Sequence, residues 1–400
     1  MAQFRTLDEL GDVHSKVALV RVDLNLPMAD GRATDLTRAR AVAPTILELA
    51  DAGAKVLLLA HFGRPKGERH STMSTSYLQG AVEEVLGRKL MYISEVSGPV
   101  VEQALTIFRP GDIGLLENTR FWPGEEKNDP EFARAIAAHG DFYVNDAFSA
   151  SHRAHASTEG LAHLLPAYAG RAMQAELEAL DKALGNPEKP VAAVVGGAKV
   201  STKLAVLEHL VARVDHLIIG GGMANTFLAA RGVAVGKSLC EHELTAKVEE
   251  IMEAADRAAC TVHLPYDVVI ATEFAPNPPS LRTCNVHEVA SEEMILDVGP
   301  QATEALADVL KTCRTLIWNG PLGAFETPPF DVATVALART AAALTREGSL
   351  VSVAGGGDTV AALNHAGVAQ EFSYVSTAGG AFLEWMEGRE LPGVAALLRS

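Results

Sequence analysis

Residues 55–65 read Lys-Val-Leu-Leu-Leu-Ala-His-Phe-Gly-Arg-Pro. The first part, Lys55–Ala60, is an almost continuous apolar run of strand length. Such runs are typical of strands buried on both faces, as in parallel sheets. The polar Gly/Pro turn that follows places His61 and Arg64 at the end of this strand. The stretch therefore predicts a strand of a parallel sheet with cationic side chains at its carboxyl end.

The same alternation continues on both sides of this stretch. Short apolar runs occur at Val17–Val22, Ile113–Leu116 and Phe142–Val144, and residues 35–49 and 130–138 have helical character. Short strands that alternate with helices indicate βαβ units. A second series of strands is predicted at Val191–Val195, His216–Ile219, Val268–Ala271, Ile295–Val298, Thr315–Trp318 and Leu350–Ala354, with helices at Ser201–Arg213, Met223–Ala230 and Glu243–Ala258.

The length of 400 residues favours two domains, since single cores rarely grow beyond roughly 250–300 residues. Arg171–Leu184 contains neither Gly nor Pro and predicts one long helix, which Gly185-Asn186-Pro187 ends. We therefore expect a first domain over 1–170, an interdomain helix and hinge over 171–187, and a second domain over 188–390. The predicted fold class is α/β, with parallel sheets built from βαβ units.

The bulk composition excludes several classes of protein. A formal net charge of −16 argues against nucleic acid or an anionic membrane as partner. We expect no signal peptide in residues 1–16 and no transmembrane helix, because no apolar run reaches about 18 residues. Cys240, Cys260, Cys284 and Cys313 show no CxxC spacing. They are expected to be reduced thiols of a cytoplasmic protein.

Cationic and polar side chains follow four of the first-domain runs. The first run leads to Asp23 and Asn25, with Arg38 in the helix beyond, and the later runs lead to His61 with Arg64, to Arg120, and to His152, Arg153 and His155. Taken singly, each is compatible with a surface ion pair or a turn residue. Ligands of parallel α/β sheets bind beyond the carboxyl ends of the strands. Together the tracts predict a pocket for a small anion, such as a phosphorylated carboxylic acid.

Glycine-rich tracts follow the second-domain runs. Gly196-Gly197-Ala198-Lys199 and Lys203 resemble a phosphate loop without matching GxxxxGK[ST], and we place both lysines on one helical face. A tight turn with solvated lysines is the alternative. Gly220-Gly221-Gly222 is a weak dinucleotide signal, because Asn225 stands where GxGxxG requires glycine.

Two further glycine tracts and one Gly/Pro loop complete this set. Gly355-Gly356-Gly357-Asp358-Thr359 predicts an anion site of backbone N–H groups. Asp358 is a candidate Mg²⁺ ligand or, alternatively, a helix N-cap. Ser376–Gly380 is a second such turn, and the loop Trp318–Glu326 offers apolar groups for a purine and Glu326 for ribose hydroxyls, or forms a rigid structural turn.

These tracts, in this order, resemble the phosphoglycerate kinase family over essentially the whole chain. The matching tracts are Val20–Pro27, His61–Pro65, Leu115–Phe121, Val144–Asp146 with His152–His155, Gly196–Lys203, Gly220–Asn225, Trp318–Glu326, Gly355–Thr359 and Ser376–Gly380. The resemblance implies two doubly wound parallel-sheet, Rossmann-like lobes that face a cleft and are joined by a long helix. It also implies that residues 391–400 pack back on the first lobe. It further implies a cytoplasmic, monomeric, Mg²⁺-dependent enzyme that reversibly converts 1,3-bisphosphoglycerate and ADP to 3-phosphoglycerate and ATP. A carboxyl group is the phosphoryl acceptor in the reverse direction.

The resemblance also assigns residues to roles. The implied catalytic residues are Arg38, Lys199, Gly356 and Gly379. The implied substrate-binding residues are Asp23, Asn25, Arg38, His61, Arg64, Arg120 and Arg153. The implied nucleotide-binding residues are Gly197, Lys199, Lys203, Asn319, Glu326, Gly355, Gly356, Gly357, Asp358 and Thr359, with Asp358 as the metal ligand.

Four residues depart from the family pattern, namely Phe62, Thr119, Ile295 and Ala378. Ile295 stands where glycine is common beneath the adenine, and Ala378 stands where the last turn usually has glycine. Two other functions are weighed against the kinase. A nucleotide-dependent dehydrogenase requires a clear GxGxxG with a ribose-binding acid, and a catalytically dead homologue is expected to lack Arg38, Lys203 or Asp358.

Overall fold

The structure, a computed structural model, describes residues 4–398. It forms two compact units. The first holds the chain up to Leu177 together with the segment from Glu390 onward, and the second holds Glu178–Arg389. Residues 1–3 and 399–400, which belong to the predicted first domain and C-terminal segment, lie outside the described residues.

The strands and helices alternate along most of the chain. The strands are β1 (Val17–Val22), β2 (Met28–Ala29), β3 (Arg32–Ala33), β4 (Lys55–Leu59), β5 (Met91–Ile93), β6 (Ile113–Leu116), β7 (Phe142–Asp146), β8 (Ala167–Ala169), β9 (Val191–Val195), β10 (His216–Ile219), β11 (Thr261–His263), β12 (Asp267–Ala271), β13 (Arg282–Asn285), β14 (Met294–Val298), β15 (Thr315–Asn319), β16 (Val351–Gly355) and β17 (Tyr374–Ser376). The helices are α1 (Thr37–Asp51), α2 (Gln79–Leu86), α3 (Pro99–Ile107), α4 (Pro123–Glu126), α5 (Pro130–Ala137), α6 (Arg171–Leu180), α7 (Leu204–Leu210), α8 (Gly221–Ala230), α9 (Thr245–Arg257), α10 (Pro300–Thr312), α11 (Val332–Arg346), α12 (Gly357–Ala366), α13 (Gly379–Met386) and α14 (Pro392–Ala395).

The first unit is built on a six-stranded sheet with the order β5-β6-β4-β1-β7-β8. All of its paired strands are parallel. Alternate residues of β1, β4 and β7 enter different cores. Val20 and Val22 belong to one apolar cluster, while Leu19 belongs to the other. This burial on both faces explains the continuous apolar runs and confirms the predicted parallel sheet.

The second unit has a parallel six-stranded sheet with the order β11-β10-β9-β15-β16-β17. The predicted α/β class with two parallel sheets is therefore confirmed. The unit also contains a small sheet, β13-β12-β14, whose pairs are antiparallel. The runs at Val268–Ala271 and Ile295–Val298 thus belong to this separate sheet and do not extend the parallel one.

The predicted long helix at residues 171–184 forms in two parts. Helix α6 ends at Leu180, and a wider helical turn continues over Asp181–Gly185. Asp146, at the end of β7, accepts a hydrogen bond at 2.9 Å from the backbone N–H of Met173 in the first turn of α6. The chain passes from the first unit to the second within this helix, between Leu177 and Glu178.

The C-terminal segment packs within the first unit. Leu391 and Leu397 are buried. The Asn145 amide donates to the carbonyl of Gly393 at 3.2 Å, and the Gly393 N–H donates to the carbonyl of Ser151 at 2.9 Å. Two consecutive residues at the end of β7 therefore hold both the helix by which the chain leaves this unit and the segment by which it returns.

Among residues 4–398, no helix combines the length and apolar character needed to cross a membrane.

Candidate functional site

The cationic tracts of the first unit follow β1, β4, β6 and β7, which are neighbours in the sheet order β6-β4-β1-β7. Their carboxyl ends consequently meet at one edge. Asn25 accepts a hydrogen bond at 3.0 Å from the N–H of Gly63, and Arg120 donates at 3.0 Å to the carbonyl of Gly63. The Ser149 hydroxyl, beyond β7, donates to Asp23 at 2.5 Å. The predicted convergence of the four tracts is confirmed.

Arg38 lies in the first turn of α1 and is held in place by this edge. Its Nη1 is 3.1 Å from Oδ2 of Asp23 and 3.2 Å from the carbonyl of Asn25. The Arg38 side chain is still 35% exposed. It therefore combines a fixed position with access to a ligand.

Asn118 joins the second and third tracts. It is fully buried, and its Oδ1 accepts hydrogen bonds from the backbone N–H groups of Phe62 and Arg120. Its Nδ2 donates to the carbonyls of Phe62 and Met73 at 2.6 and 2.8 Å. All the hydrogen-bonding capacity of this amide therefore fixes the backbone beside His61 and Arg120.

Arg21 is a component of this site that the sequence analysis did not assign. It is fully buried on β1, and its Nη2 contacts Nδ1 of His61 at 2.9 Å. Burial, followed by the charges of Arg21 and Arg120, holds the pKa of His61 well below its usual value. His155 is also buried, and burial with the charges of Arg120 and Arg21 lowers its pKa to about 3. Both rings are therefore neutral near pH 7.

The three remaining predicted arginines differ in exposure. Arg120 is 6% exposed, and burial together with Arg21 lowers its pKa to about 10. Its Nε lies 3.4 Å from the carboxylate of Glu126. Arg64 and Arg153 are exposed, and Nε of Arg153 donates to the ring of His152 at 3.1 Å. Arg153 is near enough for its charge to lower the pKa of Arg120. The Arg64 side chain makes no hydrogen bond or ion pair with the other described residues of the site.

The glycine-rich loops of the second unit follow β10, β9, β15, β16 and β17, which are also adjacent strands. The tracts after β9, β10, β15 and β16 border a cavity of about 360 Å³ whose wall is largely apolar. The cavity is lined by Gly197, Ala198, Gly221, Gly222, Ala224, Asn225, Leu239, Pro265, Phe274, Met294, Ile295, Leu296, Asp297, Val298, Pro321, Leu322, Gly323, Ala324, Glu326 and Asp358. The cavity thus brings together Gly197, Glu326 and Asp358. It is also lined by Ile295, one of the residues that differ from the family pattern.

Glycine is required at two of these turns. A Cβ on Gly196 would lie 1.9 Å from the carbonyl oxygen of Pro321. Gly356 has φ of +99°, and its Cβ would lie 2.6 Å from Nδ2 of Asn319. Neighbouring loops therefore approach each other through bare backbone, and a side chain at either position would separate them.

Lys203 and Asn319 tie three of the loops together. Nζ of Lys203 donates to the carbonyl of Gly196 at 2.6 Å and to Oδ1 of Asn319 at 2.5 Å. Nδ2 of Asn319 donates to the carbonyl of Gly355 at 2.7 Å. Burial lowers the pKa of Lys203 to about 8, although the negative charge of Asp358 acts to raise this pKa.

Lys199 and Lys203 do not share a helical face, so that prediction is wrong. Lys199 precedes a short 3₁₀ turn over Val200–Thr202, and α7 begins only at Leu204. Lys203 adopts φ of −134° between the two, which is not a helical value. Lys199 is exposed, while Lys203 points inward to the loops.

Asp358 is not a helix N-cap, because Gly356 occupies that position in α12. The Asp358 carboxylate is exposed in the first turn and borders the cavity. Thr359, one residue on, is buried and accepts a hydrogen bond at 2.7 Å from the N–H of Gly320. The two residues therefore differ in role, since Thr359 fixes a loop and Asp358 is left available to a ligand.

The turn at Ala378 faces the loop that precedes α12. A Cβ on Gly379 would lie 3.8 Å from the Cα of Gly356. Ala378 adopts φ of −95°, a value open to any L-residue. The departure from glycine at this position therefore introduces no backbone strain.

The comparisons with known proteins agree with this geometry. The family model "Phosphoglycerate kinase" matches residues 7–389. The chain belongs to the phosphoglycerate kinase family. A phosphoglycerate kinase of Sphingopyxis alaskensis is 72% identical over 397 residues, which cover 99% of this chain and 100% of the relative. One from Rhizobium meliloti is 61% identical over 394 residues, which cover 98% of each chain.

Solved structures of the phosphoglycerate kinase family share the fold. The phosphoglycerate kinase of Coxiella burnetii is 40% identical, with a TM-score of 0.92 over 99% of both chains. That of Pyrococcus horikoshii is 30% identical, with a TM-score of 0.79 over 99% of this chain and 98% of the other.

Proposed function

We propose that this chain catalyses the reversible transfer of a phosphoryl group from 1,3-bisphosphoglycerate to MgADP, which yields 3-phosphoglycerate and MgATP. One observation carries the proposal. A single chain of the phosphoglycerate kinase family holds a cationic set at the strand ends of one parallel sheet and a glycine-lined cavity at the strand ends of another. The first set suits a small anion, and the second suits a nucleotide.

The acceptor in the reverse direction is a carboxyl group. A carboxylate is already ionised at pH 7, so the reaction needs charge neutralisation and alignment and no general base. His61, which is neutral and buried, is consistent with a hydrogen-bonding role. The chain therefore acts as a phosphotransferase with a carboxyl acceptor.

We assign the substrate to the first unit. Asp23 and Asn25 supply oxygen and amide groups for hydroxyl and carboxyl contacts, and His61 supplies a ring N–H. Arg64, Arg120 and Arg153 bind the phosphate that is not transferred, since a planar guanidinium can hold two phosphate oxygens. Arg38, fixed by Asp23 yet accessible, neutralises charge on the phosphoryl group as it moves.

We assign the nucleotide to the second unit. The base occupies the apolar part of the cavity near Ile295, and Glu326 bonds the ribose hydroxyls. The phosphates, or the loops that surround them, are held by Lys203, Asn319, Thr359 and the amides of Gly197 and Gly355–Gly357. Lys199, with the amides of Gly356 and Gly379, contacts the transferring group.

Asp358 is the residue proposed to hold Mg²⁺. Its exposed carboxylate at the cavity fits a hard cation. Among the described residues, no group of three or more His, Cys, Asp or Glu side chains could hold a metal ion. This agrees with an ion that enters with the nucleotide, where it would neutralise phosphate charge and take most ligands from phosphates and water.

Transfer further requires that the two bound ligands meet within about 3–3.5 Å. We propose that the segment 171–187 acts as the hinge between a first domain over 1–170, with residues 391–400, and a second domain over 188–390. Because one chain supplies both sets of ligand-binding residues, we propose that the monomer is active. We also propose that the protein is cytoplasmic.

A coupled assay of ATP formation from 1,3-bisphosphoglycerate and ADP tests the function. We expect activity that requires Mg²⁺ and falls strongly in the Arg38→Ala variant. Failure of the folded wild-type chain to form ATP would favour a catalytically dead homologue. Nicotinamide-dependent oxidation or reduction would favour the dehydrogenase.

A further inference from the structure

A chain of buried hydrogen bonds leads away from His61 and ends at a carboxylate that the proposed mechanism does not use. The chain runs from His61 to Arg21, from Arg21 to Ser157, and from Ser157 to Glu125. Three of its members, Arg21, Ser157 and Glu125, are 0% exposed, and His61 is 8% exposed.

The first link fixes the protonation of the imidazole. Nη2 of Arg21 lies 2.9 Å from Nδ1 of His61. A guanidinium has donors only and keeps its protons at any ordinary pH. Nδ1 of His61 must therefore be the acceptor in this bond. In a neutral ring the single proton then lies on Nε2.

The second link fixes the guanidinium itself. Nε of Arg21 donates to the Ser157 hydroxyl at 2.8 Å, and Nη1 donates to the carbonyl of Val22 at 2.6 Å. Together with the bond to His61, three acceptors in different directions hold the plane of the group. Loss of the Ser157 oxygen would leave Nε of a buried cation without its partner, which is costly.

The third link fixes the serine and supplies the countercharge. The Ser157 hydroxyl donates to Oε1 of Glu125, and the backbone N–H of Ser157 donates to Oε2 at 3.0 Å. With its only hydroxyl proton committed to Glu125, the Ser157 oxygen can act only as acceptor toward Arg21. Glu125 also opposes the electrostatic effect of the surrounding cations on Arg120.

We propose that Ser157 and Glu125 are positioning residues that, through Arg21, fix His61 in the Nε2–H tautomer, so that His61 offers one hydrogen-bond donor to an oxygen of the phosphorylated acid. The substrate part of this inference rests on the proposed function. An Nε2–H donor selects an acceptor such as a carboxylate or hydroxyl oxygen. The other tautomer would present a lone pair to the same oxygen and repel it.

The test uses full-length protein labelled with ¹⁵N in its histidines. The tautomer of a histidine is read from the ¹⁵N shifts and couplings of the two ring nitrogens, and His61→Gln identifies the His61 signals among the 13 histidines. The variants are Ser157→Ala, which breaks the chain of bonds, and Glu125→Gln, which removes its charge. Tyr143→Phe is the matched control, because the Tyr143 hydroxyl is buried and donates to the carbonyl of Ser157 at 2.8 Å without reaching Arg21.

We expect the wild type and Tyr143→Phe to show an unprotonated Nδ1 and a protonated Nε2. Ser157→Ala and Glu125→Gln should show mixed tautomers or broadened ring signals. In both, the Kd for 3-phosphoglycerate should rise about tenfold, the scale of one weakened hydrogen bond, while the KM for ADP stays unchanged.

Two outcomes overturn the proposal. One is a proton on Nδ1 of His61 in the wild type. The other is an unchanged His61 spectrum in a folded Ser157→Ala variant. The tautomer is measured without substrate, so a wild type that shows the expected tautomer but does not bind 3-phosphoglycerate would refute the proposed function and leave the tautomer assignment standing.

Discussion

At the residue scale, the proposed catalytic residue Arg38 is a charged side chain that the fold holds in place. Its ion pair with Asp23 fixes the guanidinium while leaving it partly exposed. If it neutralises charge only as the phosphoryl group moves, Arg38→Ala should lower kcat by roughly 10²-fold or more and alter substrate affinity less. Steady-state kinetics measures both. Arg40→Ala is the matched control, because Arg40 is an exposed arginine of the same helix. An unchanged kcat in a folded Arg38→Ala variant would refute the assignment.

Lys203 should give the proposed nucleotide site a predictable response to pH. Burial lowers its pKa to about 8, so the lysine is charged below this pH and becomes neutral above it. Phosphates favour the charged form, and ADP affinity should therefore decline as the pH rises above about 8. Near this pH, binding should also take up a proton, which calorimetry in buffers of different ionisation enthalpy detects.

Lys203→Met is the control for this pH response. The buried carboxyl of Asp297 also borders the cavity, and burial raises its pKa to about 8. Any pH dependence that remains in Lys203→Met belongs to another group such as Asp297. A full response in that variant would contradict the role given to Lys203.

At the scale of elements, the sequence predicted most of the strands that carry the site and missed the two antiparallel sheets, β13-β12-β14 and β2-β3. Val17–Val22 and Val191–Val195 coincide with β1 and β9, because burial on both faces requires uninterrupted apolar runs. Strand β13, Arg282–Asn285, is mostly exposed and polar, so it leaves no such signal. Without it, β12 and β14 could not be distinguished from members of the parallel sheet.

The site itself was predictable where it depends on strand order along the sheet. Side chains such as Asp23, His61 and Arg120 follow apolar runs directly, and the carboxyl ends of parallel strands meet. Arg21 was missed because it lies inside an apolar run, and only the folded structure shows its contacts with His61 and Ser157. The prediction that Lys203 shares a helical face with Lys199 was wrong because a 3₁₀ turn precedes α7.

The turn at Ala378 allows a test of whether the family's usual glycine is needed there. Ala378 is 4% exposed with φ of −95°. Ala378→Gly adds freedom to the unfolded chain, so we expect a loss of about 0.5–1 kcal/mol in the free energy of unfolding and little change in ADP affinity. Denaturant unfolding and calorimetry measure the two quantities.

The converse substitution, Gly356→Ala, should behave in the opposite way. Gly356 has φ of +99°, and the Cβ of an alanine at this position would lie 2.6 Å from Nδ2 of Asn319. The loop must therefore shift. We expect ADP binding to weaken strongly in this variant. Tighter ADP binding by Ala378→Gly, or normal binding by Gly356→Ala, would show that the loop geometry is not what holds the nucleotide.

The C-terminal segment stabilises the first unit. Leu397 is 3% exposed, whereas the neighbouring Leu398 is 37% exposed. Leu397→Ala should lower the free energy of unfolding by about 2–4 kcal/mol, and Leu398→Ala by less than about 1 kcal/mol.

Deletion of residues 391–400 should lower both Tm and kcat. A deletion variant with the parental Tm and kcat would contradict this role.

At the scale of the whole molecule, the two proposed ligand-binding sets of residues belong to different compact units, so binding of the two ligands should be separable. Arg64 lies in the first unit and Asp358 in the second. Asp358→Ala should weaken MgADP binding about tenfold or more, since even loss of a group that only supports a metal ligand costs roughly 10–100-fold. It should leave 3-phosphoglycerate binding nearly intact. Arg64→Ala should do the reverse. Calorimetric titration of each ligand into each variant tests this allocation.

Separable binding has a further consequence for turnover. Because transfer needs both ligands within about 3–3.5 Å of each other, each variant should lose rate in the complete reaction even at saturating concentrations of the ligand that it binds normally. Saturation with the weakened ligand should recover most of the rate if the substituted residue acts mainly in binding. If both variants lost affinity for the same ligand, the assignment of substrate to the first unit and nucleotide to the second would be wrong. If affinity were divided as expected but the rate stayed low under full saturation, Arg64 or Asp358 would also contribute to alignment in the transition state.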